Sequence, residues 1–218
     1  MKKSLLLLFF LLVYSCKDQV ETEQPGFFFS EPGKVYIYTT SNGSEKIYIH
    51  IDSKNDSVLA INDFGQDSTI TDLLEKTEFI IKNNYVSAVS YAKNISGCLT
   101  KFNVYSDTIF MNEFIKGKSY LFESSVNIPE ILNQILSKKV IEIIDEDMII
   151  GFLGKQRQAI KLRSGILFYD GISKEKTEET ELVYAQGLGL FSFQKEINGI
   201  MKQFTLSQIT NYDNFIGK

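Results

Sequence analysis

Tryptophan is absent from the 218 residues, and histidine, cysteine, arginine and proline number one, two, two and three. Each shortage excludes something. A single histidine, His50, rules out a multi-histidine metal site. Two cysteines, Cys16 and Cys98, are too few for a multi-disulfide framework or a cysteine zinc cluster. Two arginines, Arg157 and Arg163, offer few planar forks for clamping phosphate, and the formal charge is −4, so a nucleic-acid partner is not expected. What remains is 44% hydrophobic and 13% aromatic with a mean hydropathy of −0.06. That is the composition of a chain that buries a core, not of a disordered or collagenous one.

The first sixteen residues carry the clearest pattern. Lys2 and Lys3 precede an apolar run from Leu5 to Val13, followed by Tyr14, Ser15 and Cys16. About 7–15 apolar residues form a secretory leader core, whereas a spanning helix needs about 20. The Val13-Tyr14-Ser15-Cys16 segment resembles the lipobox of bacterial lipoproteins, in which an aliphatic and a small residue precede the cysteine. The resemblance implies cleavage between Ser15 and Cys16, residues 1–15 forming the signal peptide, and a diacylglyceryl thioether on Cys16. A thiolate is the side-chain nucleophile suited to that bond, and two or more acyl chains hold stably where one holds marginally. Removing the leader leaves 21 Lys+Arg against 27 Asp+Glu, a charge of −6 that gives no attraction to anionic lipid or DNA.

Residues 16–26 are expected to be the lipidated cysteine and a flexible tether. Lys17 to Gly26 is polar and acidic and ends in a Pro-Gly breaker. Ten such residues have a root-mean-square span of about 17 Å. Lys17-Asp18 is similar to the start of the surface-export signal of Bacteroidetes-type lipoproteins, but a solvated tail is the favoured reading. Phe27, Phe28 and Phe29 either close one end of the core or dip into a lipid interface; the first is the favoured reading.

Residues 27–213 read as a single β-rich domain. Asn42-Gly43 and Asn198-Gly199 stand between β-rich runs, as hairpin turns require. Period two places Ile47, Ile49 and Ile51 on one face and Tyr48 and His50 on the other. Phe191 and Phe193 share a face, opposite Phe204 and Leu206 on the partner. Asp67 to Lys76 suggests one or two helical turns. A helix is predicted from Pro129 through Ile131, Leu132, Ile135 and Leu136 to Lys138 and Lys139. Strands are expected at 140–144, 148–153, 156–162, 166–169 and 182–194. The fold class is mainly β: a curved antiparallel sheet, half-barrel or open barrel, with one amphipathic helix packed on it.

Tyr184-Ala185-Gln186-Gly187-Leu188-Gly189-Leu190-Phe191 resembles the closing strand motif of exported bacterial proteins whose architecture is similar to LolA/LolB-like half-barrels. The resemblance covers about the last forty residues. It implies a curved sheet wrapped around helix, and names Tyr184, Gly187, Gly189 and Phe191 as a structural motif. Physically, glycine inside a strand marks a bulge or a close backbone approach. A nucleotide loop needs a third glycine where Ser192 stands.

No arrangement of residues names a reaction. His50 has Asp52 and Asp56 nearby but no Gly-x-Ser-x-Gly serine. Asp145-Glu146-Asp147 lacks the alternating ligands and glycine of a calcium loop and is expected to be a solvated turn. Cys98 is expected to be a small buried hydrophobe. Paired carboxylates for a hydrolase are left as a minor alternative. The expectation is a non-enzymatic, membrane-anchored envelope lipoprotein without cofactor or metal. Its partner would be a hydrophobic small molecule or an envelope protein. A purely structural or assembly role with a packed core is the other reading.

Overall fold

Alternation of apolar and polar residues runs through most of the chain, and among the described residues it builds thirteen strands in one antiparallel sheet. The computed structural model describes residues 26, 31–55, 58–82, 85–106, 110–111, 117, 119–127, 134–169 and 174–217. The strands are β1 Lys34–Thr39, β2 Lys46–Asn55, β3 Val58–Asp63, β4 Glu75–Lys82, β5 Tyr85–Ile95, β6 Cys98–Ser106 and β7 Phe110–Met111. They continue as β8 Ser119–Asn127, β9 Gln134–Phe152, β10 Lys155–Tyr169, β11 Lys174–Ala185, β12 Gly189–Ile197 and β13 Ile200–Asn211. One short helix, α1, follows at Tyr212–Ile216.

Neighbours in sequence are neighbours in the sheet, except that β6 pairs with β8 while the two-residue β7 borders β5. The last strand returns to the first, with Lys34 opposite Asn211 and Thr39 opposite Thr205. An eight-pair ladder from Glu75↔Lys93 to Lys82↔Tyr85 also joins β4 to β5. Followed from strand to strand, the ladders lead back to where they began, so the curved sheet is rolled around its own apolar face.

Inside the roll, Tyr38, Ile47, Ile51 and Phe204 are all fully buried at 0% exposure, and Phe193 stacks on Phe204 with ring centroids 5.6 Å apart. A second cluster joins Phe79, Val86 and Ala88 of β4 and β5 to Ile141, Ile143, Ile160 and Leu162 of β9 and β10. The expected faces hold: the three isoleucines of β2 point inward, and Phe193, Phe204 and Leu206 meet in one core. Tyr48 and His50 face outward, yet they are covered. Phe64 and Ile70 fold back over Val35, Ile37 and Tyr48, with Tyr212 and Phe215 of α1 packed beside them. Tyr48 lies 5.5 Å from Phe215, and His50 stacks on Tyr212 at 4.1 Å.

The mainly β antiparallel sheet is therefore present, but the short helix among the described residues is α1 and not the one expected at 129–139, and several other elements differ from their sequence reading. Residues 134–139 are strand, the start of β9, and not the C-terminal half of a helix; Pro129, Ile131 and Leu132 lie outside the described residues. The β-branched residues pair across to β8, from Asn127↔Gln134 to Ser119↔Glu142, and pairing overrides the helical spacing. Asp145-Glu146-Asp147 is no turn between strands: β9 runs through it, and a register shift opposite Ala159 and Lys161 absorbs the misfit. The strands expected at 156–162 and 166–169 are one strand, β10. Residues 182–194 are two strands, because Gly187 at φ 70° and Gly189 at φ 81° turn the chain between β11 and β12. The 67–74 segment is a loop. The Asp67 carboxylate accepts hydrogen bonds from the backbone N–H groups of Thr69, Thr71 and Asp72 at 2.8–2.9 Å, which competes with helical pairing.

Candidate functional site

The rolled sheet has two ends, and they differ in chemistry. The starts of β1, β3 and β5 mark one end, here called proximal; it also holds the β9–β10 and β11–β12 turns and α1. The distal end holds the segments 40–45 and 64–74 and the turns 96–97 and 198–199.

Residue 26, the last of the expected tether, is fixed at the proximal end. The Gly187 N–H donates to the Gly26 carbonyl at 3.0 Å. The left-handed backbone at Gly187 turns this N–H away from the β11–β12 ladder, a conformation that favours glycine. The motif residues thus split by role. Gly187 and Gly189 make the turn, and Gly187 holds the tether's end. Tyr184 packs against both interior clusters, and Phe191 meets Phe152 edge-on at 6.3 Å. Phe152 belongs to β9 and Phe191 to β12, so the β9–β10 hairpin leans across the proximal end to reach it. Arg157 ties the same region together: its Nη1 donates to the Gln186 carbonyl at 3.0 Å, and its Nε is buried without a partner.

The distal end is charged. Lys195 of β12 pairs with Asp63 of β3 at 3.1 Å, although β2, β1 and β13 separate their strands. Lys202 of β13 pairs with Glu45 at 2.6 Å across β1. Both bonds run along the inward faces that carry Phe193 and Phe204 deeper in the roll. Lys93 and Glu75 add a third pair at 2.9 Å. Beneath them sit tyrosines held neutral. Burial raises the Tyr91 phenol far above its ordinary value, with the Glu75 carboxylate beside it adding to the rise. Burial likewise raises Tyr36 and Tyr38, and pushes Tyr184 up to about 12. Tyr38 spends its proton on the Leu190 carbonyl at 2.8 Å. One further polar group is isolated in the interior: Ser164, exposed by 1%, has a hydroxyl without a hydrogen-bond partner.

The remaining sequence candidates are scattered. Cys16 and Ser15, with the phenylalanines 27–29, lie outside the described residues. Cys98 is exposed at the distal β5–β6 turn, correcting its expected burial; Ser96 and Gly97 put the chain into a tight turn that leaves no wall around the thiol. His50 is on the outer face of β2, four places round the ring from β6, and burial lowers its pKa while Asp52 opposes the shift. Asp56 lies outside the described residues. The distal ion pairs were not foreseen. A signal existed, since Lys195 and Lys202 continue the inward alternation of Phe193 and Phe204, but cross-interior partners have no fixed spacing in sequence.

No protein-family model matches this chain, and no curated protein does. Among solved structures it is similar to a candidate lipoprotein from Parabacteroides distasonis, with 14% identity and a TM-score of 0.33 over 84% of this chain and 97% of that one. The LolA/LolB-like resemblance of the last forty residues therefore stands on those residues alone.

Proposed function

We propose that this chain is a non-enzymatic lipoprotein of the cell envelope, anchored through an acylated Cys16, that presents the distal end of its rolled sheet to an envelope protein. The hydrogen bond from Gly187 to Gly26 carries this reading. With ten residues between Cys16 and that bond, the proximal end stays within about 17 Å of the anchor on average, and the charged distal end points away. The outer face supports a body that stands in water: Lys161–Glu181, Arg163–Glu142 and Lys138–Glu123 pair along it, while the apolar side chains fill the inside. A barrel that spans lipid has the reverse arrangement. The test is mass spectrometry of the mature N-terminus with fractionation of Cys16→Ser. An acyl mass on Cys16, and loss of membrane partitioning in the variant, are expected. An unmodified Cys16 in native protein overturns the reading.

One observation favours a second role, binding of a hydrophobic molecule within the roll. The Ser164 hydroxyl is buried without a hydrogen-bond partner, and a buried hydroxyl left so costs about 1–3 kcal/mol. A ligand carrying one acceptor would satisfy it. Lipid extracted from native protein, and lost in Ser164→Val, is the expected outcome for that role; protein that yields none refutes it.

A further inference from the structure

The most exposed large hydrophobic side chain among the described residues is Leu153, at 81%, and the next is Ile149, at 67%. Both belong to the β9–β10 hairpin. Its inner face is spoken for: Phe152 is buried in the main core, and Met148 and Ile150 pack against it. Its outer face presents Ile149 and Leu153 to the surroundings of the proximal end, with exposed Lys155 beside them.

Leu153 is also strained. It has φ 49° and precedes Gly154 at φ 76°, so leucine takes a left-handed position in a two-residue turn. That position suits Asn, Asp or Gly and penalises other side chains. Of the distal turns of the same geometry, Asn198-Gly199 obeys the preference with φ 54° and 76°, while Ser96-Gly97, with φ 51° and 85°, carries a small polar residue there. At the proximal turn alone of these three, a large apolar residue is both strained and left in water.

We infer that Ile149 and Leu153 form a contact surface for the lipid bilayer, seating the proximal end of the sheet on the membrane. The inference rests on the proposal that Cys16 is acylated. The occupant follows from where the chain goes. The tether's last residue is bonded to Gly187, in the turn next to this hairpin, since Gln186 N–H donates to the Gln158 carbonyl at 2.9 Å. Ten residues beyond it lies the anchor. The surface nearest the hairpin is then the membrane that holds the acyl chains. The mature charge is net negative, so the contact is apolar in nature, with Lys155 able to lay its stem along the interface and keep its ammonium at headgroup level.

The test uses the acylated full mature protein with Cys98→Ser, so that one thiol at a time can be labelled. An environment-sensitive fluorophore is placed at Leu153→Cys, Ile149→Cys or Ile200→Cys, and the protein is mixed with phosphatidylethanolamine–phosphatidylglycerol vesicles. Ile149 is on ordinary extended backbone and serves if the strained position does not tolerate the change. Flotation with the vesicles is expected for all three, with quenching by aqueous iodide reduced several-fold at 149 and 153 and unchanged at the distal position 200. Protein that floats while 149 and 153 stay as quenchable as 200 overturns the bilayer contact and leaves the anchor standing. Protein that does not float overturns the anchor, and the contact with it.

Discussion

The four tyrosines whose phenols burial raises most make the fold vulnerable to base, to an extent the structure sets. Tyr36, Tyr38, Tyr91 and Tyr184 all have phenols raised above the ordinary value, chiefly by burial. A raised folded-state pKa means that the native protein keeps a proton which the unfolded chain releases above about pH 10. Stability is therefore complete below that value and falls as pH rises through it. Each such group contributes about 1.4 kcal/mol per pH unit, so the four together give a slope of about 5.5 kcal/mol per unit between about pH 10 and 12. Against a typical stability of about 5–15 kcal/mol, the sheet should unfold cooperatively within about one to three units above pH 10. Tyrosinate absorbance and far-ultraviolet circular dichroism, followed together against pH, read this directly. The exposed tyrosines should titrate first with the β signal intact, and the remainder should ionise only as that signal collapses. Tyr38→Phe sharpens the test. It removes the 2.8 Å bond to the Leu190 carbonyl, at a cost of about 1 kcal/mol at neutral pH, while lowering the alkaline slope by about a quarter. If every tyrosine ionised in one step near pH 10 with the β signal preserved, the argument would be refuted.

Other expectations follow from single contacts. Phe204→Ala, at a fully buried position stacked on Phe193, should cost about 3–5 kcal/mol in urea unfolding. A double-mutant cycle on Lys195→Met and Asp63→Asn should return a coupling of about 1 kcal/mol, reduced by salt because both partners are partly solvated. His50 has a lowered pKa, so its contribution is complete above the ordinary imidazole value and declines as pH falls through that value; His50→Gln should flatten the acid side of the thermal-melting profile. Asp67 is held low by hydrogen bonds from Thr69 and Asp72, so its loop should keep slow amide exchange above the ordinary carboxylate range and lose it as pH falls through the lowered value; Asp67→Ala should remove that protection at every pH.

The sequence revealed faces more readily than it revealed lengths. Alternation at Ile47, Ile49 and Ile51 gave the inward side of β2 correctly, because a half-buried strand has a period fixed by backbone geometry. Alternation cannot show that a strand continues through a bulge. Asp145-Glu146-Asp147 therefore read as a break in what is one nineteen-residue strand. The segment after Pro129 misled for another reason: isoleucine and leucine pairs satisfy helical spacing locally, while the decision belongs to β8, whose pairing residues are distant partners in the fold. At the candidate site, Gly187 and Gly189 stood out as a Gly-x-Gly pair inside an alternating segment. Their role in holding Gly26 did not, since a single backbone hydrogen bond to a residue 161 positions earlier leaves no trace in the pattern of side chains.

The ladder between β1 and β13 has a consequence for biogenesis. Lys34 and Asn211 meet at 2.8 Å across 177 positions of chain. A polypeptide that emerges amino end first, from a ribosome or a translocation pore, shows β1 long before β13 exists outside. Until then one border of β1 has no mate, and its vacant amide and carbonyl groups invite stray partners. The other ladders join strands close in sequence, so this one distant union is the slow, late step of assembly. The nascent molecule thus needs either prompt release or a chaperone guarding that border until its final strand arrives.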